Sequence, residues 1–161
     1  MLEPEIKMLT PKTLAGMHVT MSLAANRTGE LWGRFMPRRK EITNTVTPDL
    51  YSLAVYGWSV DFSDPHKEFE KWAAVEVTDF DALPDGMEAL TLPGGLYAVF
   101  HYKGSSADIG IFHYIFGTWL LANASTYRLD DRPHFEVLGS KYRNNDPESE
   151  EDIWIPVASN M

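Results

Sequence analysis

Pro133-His134-Phe135-Glu136-Val137-Leu138 and Ile153-Trp154-Ile155-Pro156-Val157 are two apolar runs rich in β-formers, joined by a polar insert through Asp146-Pro147. The pattern reads as a hairpin of core strands closing the chain. One carboxylate interrupts the first run. Glu136 shares a side of its strand with His134 and Leu138, opposite Phe135 and Val137. An unpaired buried charge is expensive, so the position needs a reason. Either that side faces water, or Glu136 pairs with an arginine such as Arg128 or Arg143, or it is the negative pole of an aromatic-walled groove. In a groove, a cation gains charge pairing plus cation–π contacts worth roughly 0.5–2 kcal/mol each. The residues alone leave these readings open.

Outward from the hairpin, the same kinds of element recur. Residues 6–9 form a short apolar edge stopped by Thr10-Pro11, and 14–21 alternate loosely as a strand. From Glu30 a helical pattern places Leu31, Trp32, Phe35 and Met36 on one face, with Pro37 expected to end or kink it. Strands follow at 50–56 and 69–77. The acidic, turn-forming segment 78–86 marks a break near the midpoint. Beyond it come a strand at 89–92, the turn Pro93-Gly94-Gly95 and a strand at 96–102. A helix over about 106–123 follows, with Ser105-x-x-Asp108 resembling a capping box. The expected fold is mixed α/β (α+β). Two related halves, about 4–79 and 86–158, would pack as one domain spanning 1–161, with an antiparallel sheet and two main helices flanking a central cleft.

Composition narrows the function. The 161 residues carry a formal net charge of −9, which argues against binding nucleic acid through phosphate neutralisation. There is no cysteine, so disulfides, thiolate chemistry and cysteine-based zinc sites are out. The five histidines show no metal-ligand spacing, and neither a metal nor a cofactor is expected. The start lacks a signal-peptide pattern and no run approaches membrane-spanning length, so a soluble cytoplasmic protein with no membrane partner is expected. Signatures such as His-Glu-x-x-His, a nucleophile elbow or a phosphate loop are missing. Arg38-Arg39-Lys40 reads as a solvated helix end, and the acidic stretch from Glu148 to Asp152 as a solvated turn.

Aromatic residues make up 12% of the chain, enough to supply a core and still line a cavity. Trp32 and Phe35 fall on the first helix, and Phe112, Phe116 and Trp119 on the second. Tyr56, Trp58, Tyr97 and Trp154 fall on or beside strands. With Glu136, these are the candidate ligand-binding residues.

The ordered set of segments 31–42, 50–56, Trp119-Leu120, Pro133-His134-Phe135-Glu136 and Ile153-Trp154-Ile155-Pro156-Val157 resembles the GyrI-like family. These are the effector-binding domains also found at the C-terminus of AraC- and MerR-type multidrug regulators. The resemblance implies pseudo-twofold halves and a central cleft for small, often cationic and lipophilic molecules, with Glu136 at the family's acidic position. Trp154, Phe112 and Phe116 correspond more loosely to cleft walls. The domain begins at about residue 4, leaving no room for a DNA-reading head, so a stand-alone ligand-binding protein without direct nucleic-acid contact is expected. The resemblance also allows a regulator or gyrase as protein partner. A further alternative is a hydrolase of reactive cyclopropane compounds, using Glu136 as the catalytic acid or base with help from Tyr97 or Tyr56.

Overall fold

The computed structural model describes residues 2–56, 63–106 and 108–160. Its elements run β1 (Glu5–Leu9), β2 (Lys12–Met21), α1 (Thr28–Phe35), β3 (Leu50–Val55), β4 (Phe69–Glu76), β5 (Glu88–Leu92) and β6 (Gly95–Lys103). A helical stretch, α2 (Gly110–Tyr114) and α3 (Leu120–Ala122), is joined by a π-helical turn over Ile115–Trp119. β7 (Tyr127–Leu129), β8 (His134–Leu138) and β9 (Glu150–Ser159) complete the chain.

The strands form one sheet in the order β1-β6-β9-β8-β3-β4-β2-β5, with β7 added on β9. Neighbours along that order run antiparallel throughout. The order reads alike from either end: β6-β9-β8 mirrors β2-β4-β3, and the central pair is β3 with β8. The outer strands are exchanged across this symmetry. β1 leads into β2 yet pairs with β6, and β5 leads into β6 yet pairs with β2.

That exchange bends the sheet. Leu9 to Lys12 and Leu92 to Gly95 are three-residue steps, each reaching about 10 Å at most, yet each joins strands at opposite ends of the order. The sheet therefore curls until its ends meet. At the meeting point a Cβ on Gly94 would lie 2.7 Å from the Leu9 carbonyl oxygen and 2.9 Å from the Pro11 ring, so only glycine fits.

Strand alternation then sorts the side chains onto two faces. Inside the curl lie Leu14, Tyr51, Leu53, Trp72, Leu92, Tyr97, Val99 and Phe135, buried without any helix over them. The outer face carries the helices. Leu31 and Phe35, one turn apart on α1, are fully buried against Met17, Val19, Phe69 and Ala73. Ile115 and Trp119 pack against Ala98, Phe100, Ile153 and Ile155. Between the two helical clusters, β3 and β8 form the floor of a seam.

Several local expectations change. As expected of Pro37, α1 ends just before it, at Phe35; beyond that, the chain tightens into a 3-10 turn over Met36–Glu41, with proline in its first turn where a missing N–H costs little. Arg38 in that turn donates to Glu41 at 2.8 Å and to the Asp85 carbonyl at 2.6 Å. The second helix starts at Gly110 rather than near residue 106, so Ser105 is not its cap. Asp108 Oδ1 instead accepts the Gly110 N–H at 2.8 Å. The stretch from Glu148 to Asp152 is not simply a solvated turn. It enters β9 at Glu150, and Glu151 is only 6% exposed.

Candidate functional site

The seam is built by register. On β8, Glu136 faces Ser52 of β3 on one side and Ile153 of β9 on the other. Directly paired residues of an antiparallel ladder share a face, so Glu136 points to the helix side with Ile153. Glu151 lies two residues before Ile153 and on the same face, diagonal to Glu136 and within reach of a long side chain. Its directly paired neighbour on the far side is Tyr102 of β6. Lys71 joins the same face from β4, opposite Ala54, and His134 stands opposite Ala54 from β8.

Two carboxyl groups therefore meet in one place. Burial first, then the charge of Glu136 and a hydrogen bond with it, push the Glu151 carboxyl up to about 9, while Lys71 works the other way. At neutral pH Glu151 holds its proton and donates to Glu136, since two adjoining carboxylates cannot both ionise cheaply. Glu136 itself is half-buried, neither aimed into bulk water nor sealed away. Of the arginine partners considered from sequence, Arg128 is elsewhere: it donates to the Ser159 carbonyl and to Asn160, both at 2.9 Å.

Aromatic rings surround the pair. Tyr56 lies 4.7 Å from Phe69 and 4.8 Å from His134, and His134 lies 5.9 Å from Phe116, all between centroids. This chain of rings runs from the α1 cluster to the second helix and closes one end of the seam. Burial drops His134 to about 3, so it stays uncharged at neutral pH and offers Glu136 no counter-charge. Burial and the Glu136 charge raise the Tyr56 hydroxyl to about 12. Tyr142 is raised too, by burial above all, with Glu151 and Glu136 adding and a hydrogen bond from Ser106 opposing. Phe112, half-buried and four residues before Phe116, lies on the same side of its helix. The π turn at Ile115–Trp119 carries Phe116, a placement frequent at functional sites.

Other sequence candidates lie apart from the seam. Tyr97 and Trp154 sit on the inner face, because they alternate with residues of the helix side; Tyr97 donates its hydroxyl to the Pro133 carbonyl at 2.8 Å. Trp154 stacks on Phe135 at 5.1 Å, with Lys7 above it at 5.9 Å. Phe35 is core beneath α1, and Trp32 packs edge-on against it at 6.0 Å. Trp119 is core beneath the second helix, perpendicular to Phe100 at 5.3 Å. Trp58 lies outside the described residues. Sequence reasoning missed Glu151, Tyr142, Lys71 and the ring role of His134. The signal for Glu151 is the alternation Glu151-x-Ile153-x-Ile155-x-Val157, which continues the core face backwards through the acid.

A cavity of about 450 Å³ also opens beside the second helix, lined by Leu2, His101, Tyr102, Lys103, Ile111 and Tyr114. Glu136 is not among its walls. Tyr102 stands between this cavity and Glu151. Among the described residues no cluster of three or more His, Cys, Asp or Glu could hold a metal, and no helix is long and apolar enough to cross a membrane.

A curled antiparallel sheet with two helices on one face is the fold of an effector-binding domain. Residues 5–157 match the family model "Cass2: Integron-associated effector binding protein", and the chain belongs to that family. It is 29% identical over 148 residues to the transcriptional regulator BrlR of Pseudomonas aeruginosa, covering 90% of this chain and 52% of BrlR. The chain thus spans about half the length of that curated relative. Among solved structures, SAV2435 bound to tetraphenylphosphonium superposes with a TM-score of 0.73 at 15% identity, over 97% of this chain and 94% of that one. The Vibrio cholerae integron cassette protein VCH_CASS2 gives 0.65 at 17% identity, over 97% and 96%. These two likenesses concern the fold.

Proposed function

We propose that this protein binds small lipophilic cations in the seam between its helices, with Glu136 as the charge anchor. The observation that carries this reading is the half-buried Glu136 ringed by Tyr56, His134, Phe116 and Tyr142, beside a second acid and an uncharged histidine. Such a place is electrically negative, apolar at its edges and short of counter-charge. A cation with aromatic or aliphatic bulk would gain from all three properties. SAV2435, which shares the fold, was captured with a ligand of this kind, tetraphenylphosphonium. The ring chain Phe69–Tyr56–His134–Phe116 keeps the seam narrow, so Tyr56 and Phe116 turn aside on binding. We take the domain as a single unit of two related halves meeting at this seam, and its partner as a small molecule.

The test is calorimetric titration with tetraphenylphosphonium and with neutral triphenylphosphine oxide, for the wild type and Glu136→Gln. Losing a charge-assisted contact of about 1.5–3 kcal/mol weakens the cation about ten- to a hundredfold. The neutral compound should be nearly unaffected. Equal losses for both would remove Glu136 as a charge anchor, and no binding across a panel of lipophilic cations would end the reading.

A second reading has one observation in its favour. A protonated Glu151 against Glu136 is also an acid–base pair, as hydrolysis of a reactive cyclopropane compound would require. Turnover of an electrophilic cyclopropane, lost in Glu136→Gln, would establish it; unchanged substrate after prolonged incubation with the wild type would dismiss it.

A further inference from the structure

Glu151 is an unusual residue to find 6% exposed on a strand whose neighbours on that face are Ile153, Ile155 and Val157. Packing alone would favour an aliphatic side chain there, since a buried carboxyl must hydrogen-bond or be neutralised. What lies against it is another acid. From β8 comes Glu136, from β4 Lys71, from β6 the Tyr102 hydroxyl, and from the loop before β9 Tyr142, which feels both acids. Asp152 on its own strand faces the other way and is held by His101 at 2.8 Å. Tyr56, at the end of β3, feels Glu136. The second helix presents Phe112 and Phe116, which bring no charge. Among the described residues the lysine ion pairs involve Lys7, Lys12 and Lys103, and Lys71 makes none with either acid.

With Lys71 acting only at a distance, the positive charge held directly between the two acids is a proton. A lipophilic cation seated beside Glu136 supplies the same charge from outside and makes that proton dispensable. We infer that Glu151 is a second anchoring carboxyl whose proton is displaced by the incoming cation, so that ligand binding at this seam is cation-for-proton exchange. The inference rests on the cation-binding reading above. In the exchange the Glu151 O–H bond breaks, its electron pair stays on the carboxylate, and the proton passes to buffer. The bound cation then faces two negative groups rather than one, which discriminates charged from neutral ligands more strongly than Glu136 alone.

The sign of the pH effect follows. With Glu151 protonated in the free protein, binding that releases its proton tightens as pH rises, by up to tenfold per unit, and levels off once the free protein has lost the proton. Tetraphenylphosphonium carries a permanent charge, so its own state does not change. Calorimetric titration of the wild-type protein from pH 6 to 9.5, repeated in buffers of different ionisation enthalpy, counts the protons released. The expected result is an affinity rising with pH and close to one proton released per cation near pH 7.5. Glu151→Gln, an isostere of the protonated acid, should bind with pH-independent affinity, release no proton, and fall at least tenfold below the wild type at pH 9. Binding that is flat with pH and proton-neutral in the wild type would overturn the exchange while leaving the cation site standing. No tetraphenylphosphonium binding at any pH would overturn both.

Discussion

The two faces of the sheet use their aromatic rings differently. Inside the curl, Phe135 is held by Tyr51 at 5.9 Å, Tyr97 at 5.3 Å and Trp154 at 5.1 Å, and the Tyr97 hydroxyl is satisfied by a backbone carbonyl. Every ring there has apolar neighbours, and the acids on that face are paired: Glu70 accepts from the Trp72 indole at 2.9 Å and Glu76 meets Lys12 at 3.3 Å. On the helix side, Tyr56 and Tyr142 meet a pair of carboxyl groups instead of completing a core. Aromatic content therefore does not locate a ligand site in this fold. In the proposed reading, the location is set by the acid at the strands' central pairing.

The largest consequence is for stability. Truncating Phe135 to alanine removes the ring shared by three others, inside a curl that no helix can collapse to refill. It should cost about 3–5 kcal/mol, read as a lower urea midpoint, while the preference for cations over neutral ligands stays unchanged in the folded fraction. Phe116→Ala, on the half-buried side of the second helix, should cost under about 2 kcal/mol. It should nonetheless alter ligand affinity, because that ring closes the seam. If Phe116→Ala proved the more destabilising of the two, the division between a structural face and a binding face would be wrong.

Much of this architecture was legible in the residues. The alternation around Glu136 correctly put His134 and Leu138 on its side and Phe135 on the other, and the recurrence of strand and helix patterns anticipated a mixed fold with two main helices. The exchange of β1 and β5 was not legible, because a two-residue connection such as Thr10-Pro11 looks the same whether the next strand pairs locally or across the molecule. Aromatic chemistry offers Tyr97, and the resemblance adds Trp154, as cleft residues, whereas register decides their face. One residue of register moves a side chain across the sheet. Glu151 was hidden for a different reason. It begins a strand directly after a run of acidic and turn-forming residues, so composition spoke for a loop while the period-two pattern behind it spoke for a buried face.

A smaller effect bears on the seam alone, without any ligand. In the folded protein Glu151 is raised to about 9, against an ordinary value of 4.5, and His134 is lowered to about 3, against 6.5. A raised acid lends the fold stability that is complete below pH 4.5 and is lost as pH climbs through 9. A lowered histidine lends stability that is complete above 6.5 and is lost as pH falls through 3. Between 4.5 and 6.5 the two slopes oppose each other. Above 6.5 only the Glu151 slope remains of the pair, at most about 1.4 kcal/mol per pH unit. His101, raised by hydrogen bonds to Asp152 and Glu150, acts in the same sense there, but its side chain is 60% exposed and solvent screens its share. Thermal melts from pH 5 to 9.5 should therefore show a falling Tm above about 6.5 in the wild type. Glu151→Gln, which keeps a donor toward Glu136 but cannot ionise, should flatten that decline and, with the opposing slope gone, let Tm rise from pH 5 to about 6.5. Parallel curves for the two proteins would mean that the acids do not share a proton, and the seam would lose the feature that sets it apart from the inner face.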